Sequence, residues 1–163
     1  MILDQPAIDI ESGSVKIDIS EVAYWIESKA DWKTFLTLTF RDIDKTPDQA
    51  DKNFRWLIRV LNKEVFGKRY TRIVGHSYFS YMVATEYQKR GAIHLHVLID
   101  RPVNYKLIHE FWNRYFGFAQ TTIIRNKYST CIYAIKYCVK DGDWRLYEAS
   151  KLYKPTFHFE WWK

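Results

Sequence analysis

Cysteine is scarce in this sequence. The two that occur, Cys131 and Cys138, sit seven residues apart on a stretch with helical patterning, which separates them by about 10 Å along a helix axis. A disulfide spans Cα separations of only about 7 Å, so both are expected to be free thiols of a reducing compartment. Long apolar runs are missing as well. Nothing approaches the roughly 18 consecutive apolar residues of a membrane span, so no contact with a membrane is expected. The opening MILDQPAIDIES lacks a basic segment leading into an apolar one, so no secretory signal is expected. No G-x-x-x-x-G-K-[ST] element is present, which excludes the phosphate-cradling loop of an ATP-driven motor. There is no internal repeat and no low-complexity tract. The 163 residues suit one compact domain, expected in the cytoplasm of a bacterial or archaeal cell or in the interior of a host cell.

Positive charge and aromatic rings are what the chain has in excess. The formal net charge is +6 and the pI about 9.2. That charge is uneven: residues 1–30 carry six acids and two lysines, net −4, leaving +10 on the rest. A basic body behind an acidic N-terminal arm suits a polyanionic partner better than a neutral metabolite. Aromatic residues make up 18% of the chain, with seven Trp and twelve Tyr. They can fill a small core, or stack on unpaired bases at about 1–3 kcal/mol per base.

Residues 1–30 read as the arm, with a weakly alternating edge strand at VKIDI (15–19). FLTLTF (35–40) has the β-branched and aromatic content of a strand. Thr46 and Pro47 form a helix start, and Phe54, Leu57, Ile58, Leu61 and Val65 recur at helical spacing over 47–66, with Gly67 as the stop. SYFSYMVATEY (77–87) and AIHLHVLID (92–100) read as two strands joined by a tight turn. Asn104 caps a second helix that Gly117 ends. TTIIR (121–125) is a fourth strand and 129–140 a third helix. Strand–helix–strand–strand–helix–strand is the split βαβ, ferredoxin-like order. The expected class is therefore α+β: an antiparallel sheet with helices on one face and an open face for a site, within one domain over 31–163.

His94 and His96 are two apart on a predicted strand, so both imidazoles point to one face while Ile93, Leu95 and Val97 point to the other. If Lys89-Arg90-Gly91 is a three-residue hairpin loop with Gly91 left-handed, Gln88 faces Ala92, Tyr87 faces Ile93 and Glu86 faces His94. Cross-strand partners share a face, so Glu86 joins the histidines. Two imidazoles and one carboxylate leave positions open on an ion, as catalysis requires. The donor set admits Mn²⁺ or Mg²⁺ and does not exclude Zn²⁺. Without Glu86 in register, the histidines would be ordinary polar positions on a solvated sheet.

YAIKYCVK (133–140) is the second cluster. At helical spacing Tyr133, Lys136, Tyr137 and Lys140 fall within a stripe of about 100°, opposite Ile132, Ile135 and Val139. A phenol titrates near 10 in water. A neighbouring lysine favours the phenolate and stabilises charge on a phosphate under attack, so the pair is a sound nucleophile arrangement. The plain alternative is a solvated Tyr/Lys face.

Together the two clusters resemble the HUH endonucleases, the rolling-circle replication initiators of plasmids and of single-stranded DNA phages and viruses. His94-Leu95-His96 inside GAIHLHVLI resembles the element that gives the family its name, and FLTLTF resembles its first motif. Tyr137-Cys138-Val139-Lys140-Asp141-Gly142-Asp143 is similar to the nucleophile motif of circovirus and geminivirus initiators. The doubled Tyr133-x-x-Lys136-Tyr137-x-x-Lys140 resembles small isometric phage initiators, in which both tyrosines act. E-x-Q-x-R-G before H-x-H looks like the plasmid and phage branch. The resemblance runs from about residue 34 to 144, without the helicase domain of many viral relatives.

It implies a site-specific nickase and ligase. Glu86, His94 and His96 would hold a divalent ion, and Tyr137, or both Tyr133 and Tyr137, would attack the scissile phosphate, each beside Lys136 or Lys140. Lys89 and Arg90 at the hairpin tip would contact the DNA backbone. Trp144, or the closing HFEWWK, would stack bases. The implied partners are single-stranded DNA or an origin hairpin and the host replication machinery, with self-association open. A transposase or relaxase of the same chemistry, a small metal-dependent hydrolase, and a non-catalytic single-strand binding module remain alternatives.

Overall fold

A computed structural model describes residues 19–72, 78–141, 144–148 and 151–153, with the side chains of 137–141, 145–148 and 151–153 outside the description. The element order is α1 (Ile19–Lys29), β1 (Thr34–Phe40), α2 (Pro47–Phe66), a 3₁₀ turn (Tyr70–Arg72), β2 (Tyr81–Tyr87), β3 (Ile93–Ile99), α3 (Tyr105–Tyr115), β4 (Gly117–Ile123), α4 (Lys127–Asp141), β5 (Trp144–Glu148) and β6 (Lys151–Tyr153). The strands form one sheet in the order β4-β1-β3-β2-β5-β6, and every pair is antiparallel. The four strands β4-β1-β3-β2, with α2 and α3 as crossovers, are the α+β, ferredoxin-like arrangement expected from the sequence. β5 and β6 extend it.

The helix ends form where the caps are. The Thr46 hydroxyl accepts from the Gln49 backbone N–H at 3.3 Å, and the Gln49 side-chain oxygen accepts from the Thr46 N–H at 3.0 Å. This reciprocal box satisfies two N–H groups that the first turn of α2 leaves without helical partners. The Asn104 side chain accepts from the Leu107 N–H at 3.2 Å and starts α3 in the same way.

Strand alternation divides the core between the two faces. Leu36, Leu38 and Phe40 of β1 and Ile93, Leu95, Val97 and Ile99 of β3 meet Phe54, Leu57 and Leu61 of α2 and Ile108 and Trp112 of α3. Trp112 is fully buried, and its indole N–H donates to the Thr39 carbonyl at 3.1 Å, tying α3 to β1. On the opposite face Met82, Ala84 and Leu98 meet Ala23, Trp25 and Ile26 of α1 and Cys131, Ala134 and Ile135 of α4. Helices thus cover the apolar face as expected, while the histidine-bearing face carries α1 and α4 over part of its surface. Burial pushes the Cys131 thiol up to about 12, which keeps it protonated and inert. The Cys138 side chain lies outside the described residues.

Three elements differ from the sequence reading. Ile19–Lys29, the second half of the acidic segment, is helix α1, with Ala23 and Ile26 fully buried. Ile19 opens that helix instead of closing a strand, and 15–18 lie outside the described residues. Its two faces differ too little in polarity to stand out beside the charge. β4 covers Gly117–Ile123 instead of 121–125. As an edge strand it buries only Ala119, so its alternation is hidden. β5 and β6 were not anticipated, since their pairing with β2 is set by long-range register.

Gly117, expected to stop α3, instead opens β4 opposite Phe40. A Cβ there would lie 2.1 Å from the Thr39 carbonyl oxygen and 2.8 Å from the Arg41 nitrogen. Both are backbone atoms that cannot swing aside. Gly117→Ala is therefore expected to destabilise the domain by about 1–3 kcal/mol or more, as overpacking does. A urea denaturation midpoint equal to that of the wild type would show that β4 does not approach β1 so closely.

Candidate metal centre and tyrosine helix

The β2–β3 hairpin builds the first half of the site. Gly91 adopts φ +88°, a region that costs other residues about 1–2 kcal/mol. Its N–H donates to the Gln88 carbonyl at 2.8 Å, and the Gln88 N–H donates to the Ala92 carbonyl at 3.0 Å. The loop therefore holds three residues, and the register follows: Tyr87 opposite Ile93, Glu86 opposite His94, Ala84 opposite His96. β1 flanks the other side, with Thr39 opposite His94 and Thr37 opposite His96.

Glu86, His94 and His96 each offer a donor atom, and the three atoms lie within 4.8 Å of one another. His96 is buried, and its Nε2 is 2.9 Å from a Glu86 carboxylate oxygen. The half-buried His94 uses Nδ1 on the Gln88 side-chain amide at 3.2 Å, while its Nε2 is buried with no hydrogen-bond partner among the described residues. A buried polar nitrogen left so is costly, and a bound cation would satisfy its lone pair. Two imidazole nitrogens, a carboxylate and an orphaned ring nitrogen fit a divalent ion. The donor set alone does not choose the metal.

Burial holds the His94 pKa below the usual 6.5; the Glu86 carboxylate opposes that shift, and His96 and Arg90 reinforce it. The sign follows from linkage. The fold favours neutral His94, so its contribution to stability is complete above pH 6.5 and is lost as pH falls through the depressed native value. The metal-free denaturation midpoint is expected to fall between pH 7 and pH 5, and the fall should be shallower in His94→Gln. Equal slopes in the two proteins would show that His94 does not carry the effect.

α4 supplies the second half. It starts beside the strand ends at Lys33 and Ile99 and ends near Trp144, opposite Ala84. It therefore runs toward the Glu86–His94 end of the sheet. Tyr133, 47% exposed, stands edge-on to His96 with ring centroids 6.2 Å apart and edge-on to Phe35 at 5.7 Å. Phe35 stacks on His96 at 6.0 Å. Lys136 is exposed on the same helix. Tyr137 and Lys140 occupy the next turn of α4, and their side chains lie outside the described residues. A groove bordered by Phe35, Thr122, Asn126, Ser129, Thr130 and Tyr133 opens beside β4 and leads to this point.

The remaining expected DNA contacts are separated. Lys89 and Arg90 are exposed at the hairpin tip. Trp144 is half-buried, edge-on to Trp25 at 6.0 Å, within the core beneath α1 and α4. The closing HFEWWK lies outside the described residues. Phe35 and Gln88 are contacts of the histidines that the sequence reading missed. Gln88 stands on the hairpin two residues from Glu86, so the same register argument reaches it. Phe35 needed the β1–β3 pairing, which no local pattern supplies.

The fold and site define an α+β sheet domain with a potential divalent-metal trio on one face. The family model for the ORF2-type Replication-associated protein matches residues 33–142, about two thirds of the chain and all three metal-trio residues, so the chain belongs to that family. Searches of curated proteins and of solved structures matched nothing. Family membership supports a role in the initiation of DNA replication. Among the described residues no helix is long and apolar enough to cross a membrane.

Proposed function

We propose that this protein is an HUH-type, metal-dependent endonuclease and strand transferase that nicks single-stranded DNA at a replication origin through a tyrosine. The observation that carries this reading is the convergence of Glu86, His94 and His96 on the sheet face against which α4 lays Tyr133, 6.2 Å from the His96 ring.

The trio would hold Mn²⁺ or Mg²⁺, which when bound supplies Lewis-acid neutralisation of charge on the scissile phosphate. Glu86 and the two histidines fix where that phosphate sits. Tyr137 loses its phenolic proton and its oxygen bonds to phosphorus. The bond from phosphorus to the 3′ oxygen breaks, and that oxygen leaves as a 3′-OH after taking a proton. One phosphodiester is exchanged for a 5′-phosphotyrosine, so no ATP is needed, and attack by a 3′-OH reverses the step. Lys136 and Lys140 place positive charge beside the attacking oxygen. A competent Tyr133 would allow a second nick before the first end is released. Lys89 and Arg90 contact backbone phosphate, and the groove beside β4 receives the strand next to the cut.

The test is incubation of the full chain with labelled origin-hairpin oligonucleotides and Mn²⁺, read on a denaturing gel. A labelled band at the mass of protein plus DNA is expected. Cleavage that leaves no protein on DNA would point to a hydrolase. Binding without cleavage would point to a single-strand binding module.

A further inference from the structure

At the hairpin, the Gln88 side-chain amide sits between a histidine and an arginine. Its nitrogen faces His94 Nδ1 at 3.2 Å, and its oxygen accepts from Arg90 Nε at 3.0 Å. In that orientation the amide donates to Nδ1. A neutral imidazole carries one proton, and here it must be on Nε2. Nε2 is also the buried nitrogen without a partner, the one available as a ligand. To ligate, Nε2 must be the bare nitrogen and the proton must move to Nδ1, which then needs an acceptor.

The Gln88 oxygen can be that acceptor after a half-turn of the amide, a soft two-fold torsion. The half-turn brings the amide NH₂ toward the Arg90 N–H, and two donors cannot bond. Ligation by His94 and docking of Arg90 on Gln88 therefore exclude each other. We propose that Gln88 is a two-position positioning residue that couples ion binding at His94 to release of Arg90 for a DNA phosphate. The inference rests on the proposed metal centre. Linkage is reciprocal: a phosphate that captures Arg90 leaves the Gln88 oxygen for His94 and tightens the ion, so loading and DNA engagement reinforce each other.

Mn²⁺ titration calorimetry on the full chain without DNA tests this. Wild type is expected to bind one Mn²⁺, and His96→Ala to bind none. Gln88→Ala should weaken binding about 10–100-fold, as loss of a ligand's hydrogen-bond partner does. Gln88→Glu should restore it, because either carboxylate oxygen accepts from Nδ1–H. Arg90→Met should tighten Mn²⁺ about three- to tenfold, the equilibrium worth of one hydrogen bond. Simple charge repulsion also predicts some tightening, so the deciding comparison is Arg90→Met in the Gln88→Glu background. There the competition is gone and the hydrogen-bond gain should vanish. A wild type that binds no Mn²⁺ overturns the metal centre itself. Normal wild-type binding with an equal Arg90→Met effect in both backgrounds, or with Gln88→Ala within twofold of wild type, overturns the coupling alone.

Discussion

Tyr137→Phe is expected to abolish the covalent protein–DNA adduct, with the nicking rate reduced by at least about a thousandfold, as for other catalytic nucleophiles. The change removes one oxygen and leaves the ring. Two observations compete over which phenol attacks. The motif around Tyr137 names that residue. The geometry brings Tyr133 beside His96, and α4 carries Tyr137 one turn, about 5.4 Å, further toward the Glu86–His94 end. Tyr133→Phe is therefore expected to keep the first nick and lose any second transfer. Denaturing gels of the two single variants and the double variant separate the outcomes. An adduct that survives Tyr137→Phe and disappears only with Tyr133→Phe would reverse the roles. An adduct that survives in the double variant would remove the tyrosine mechanism.

The second large effect belongs to the metal trio. Chelator should stop nicking by wild type, and Glu86→Gln should reduce both Mn²⁺ affinity and nicking by more than about 100-fold, beyond the range of losses at outer hydrogen-bond partners. Glutamine keeps the shape of the side chain and removes the charge, so the sheet should remain folded. His96→Ala is harsher. The ring is 3% exposed and lies between Phe35 and Tyr133, so its removal leaves a hole as well as a missing ligand. Reading each variant by denaturation alongside calorimetry separates the two losses. Full nicking by Glu86→Gln in excess chelator would dismiss the ion from the reaction.

Local chemistry made part of this molecule legible. Thr46, Pro47 and Gln49 mark the start of α2 in sequence because a capping box is a local contact. The Glu86–His94 pairing is legible for a similar reason: once Gly91 is taken as left-handed, the loop length fixes every later pair. Partners distant in the chain were not legible. Phe35 reaches His96 through pairing of strands some sixty residues apart. Trp144 looks like a free aromatic in the sequence and is an edge-on neighbour of Trp25 in the fold. β4 hides because an outer strand with one buried side chain has no alternation to display.

The turn at Lys89-Arg90-Gly91 acts as a ruler. Its composition can change with whatever backbone it grips, provided the left-handed joint is kept, but its length cannot. Adding or deleting a single residue would slide one strand past the other by one place and present Tyr87 where the carboxylate belongs, since neighbouring strand positions point to opposite faces. Related chains are free to diverge in the lettering of this loop and constrained in its count.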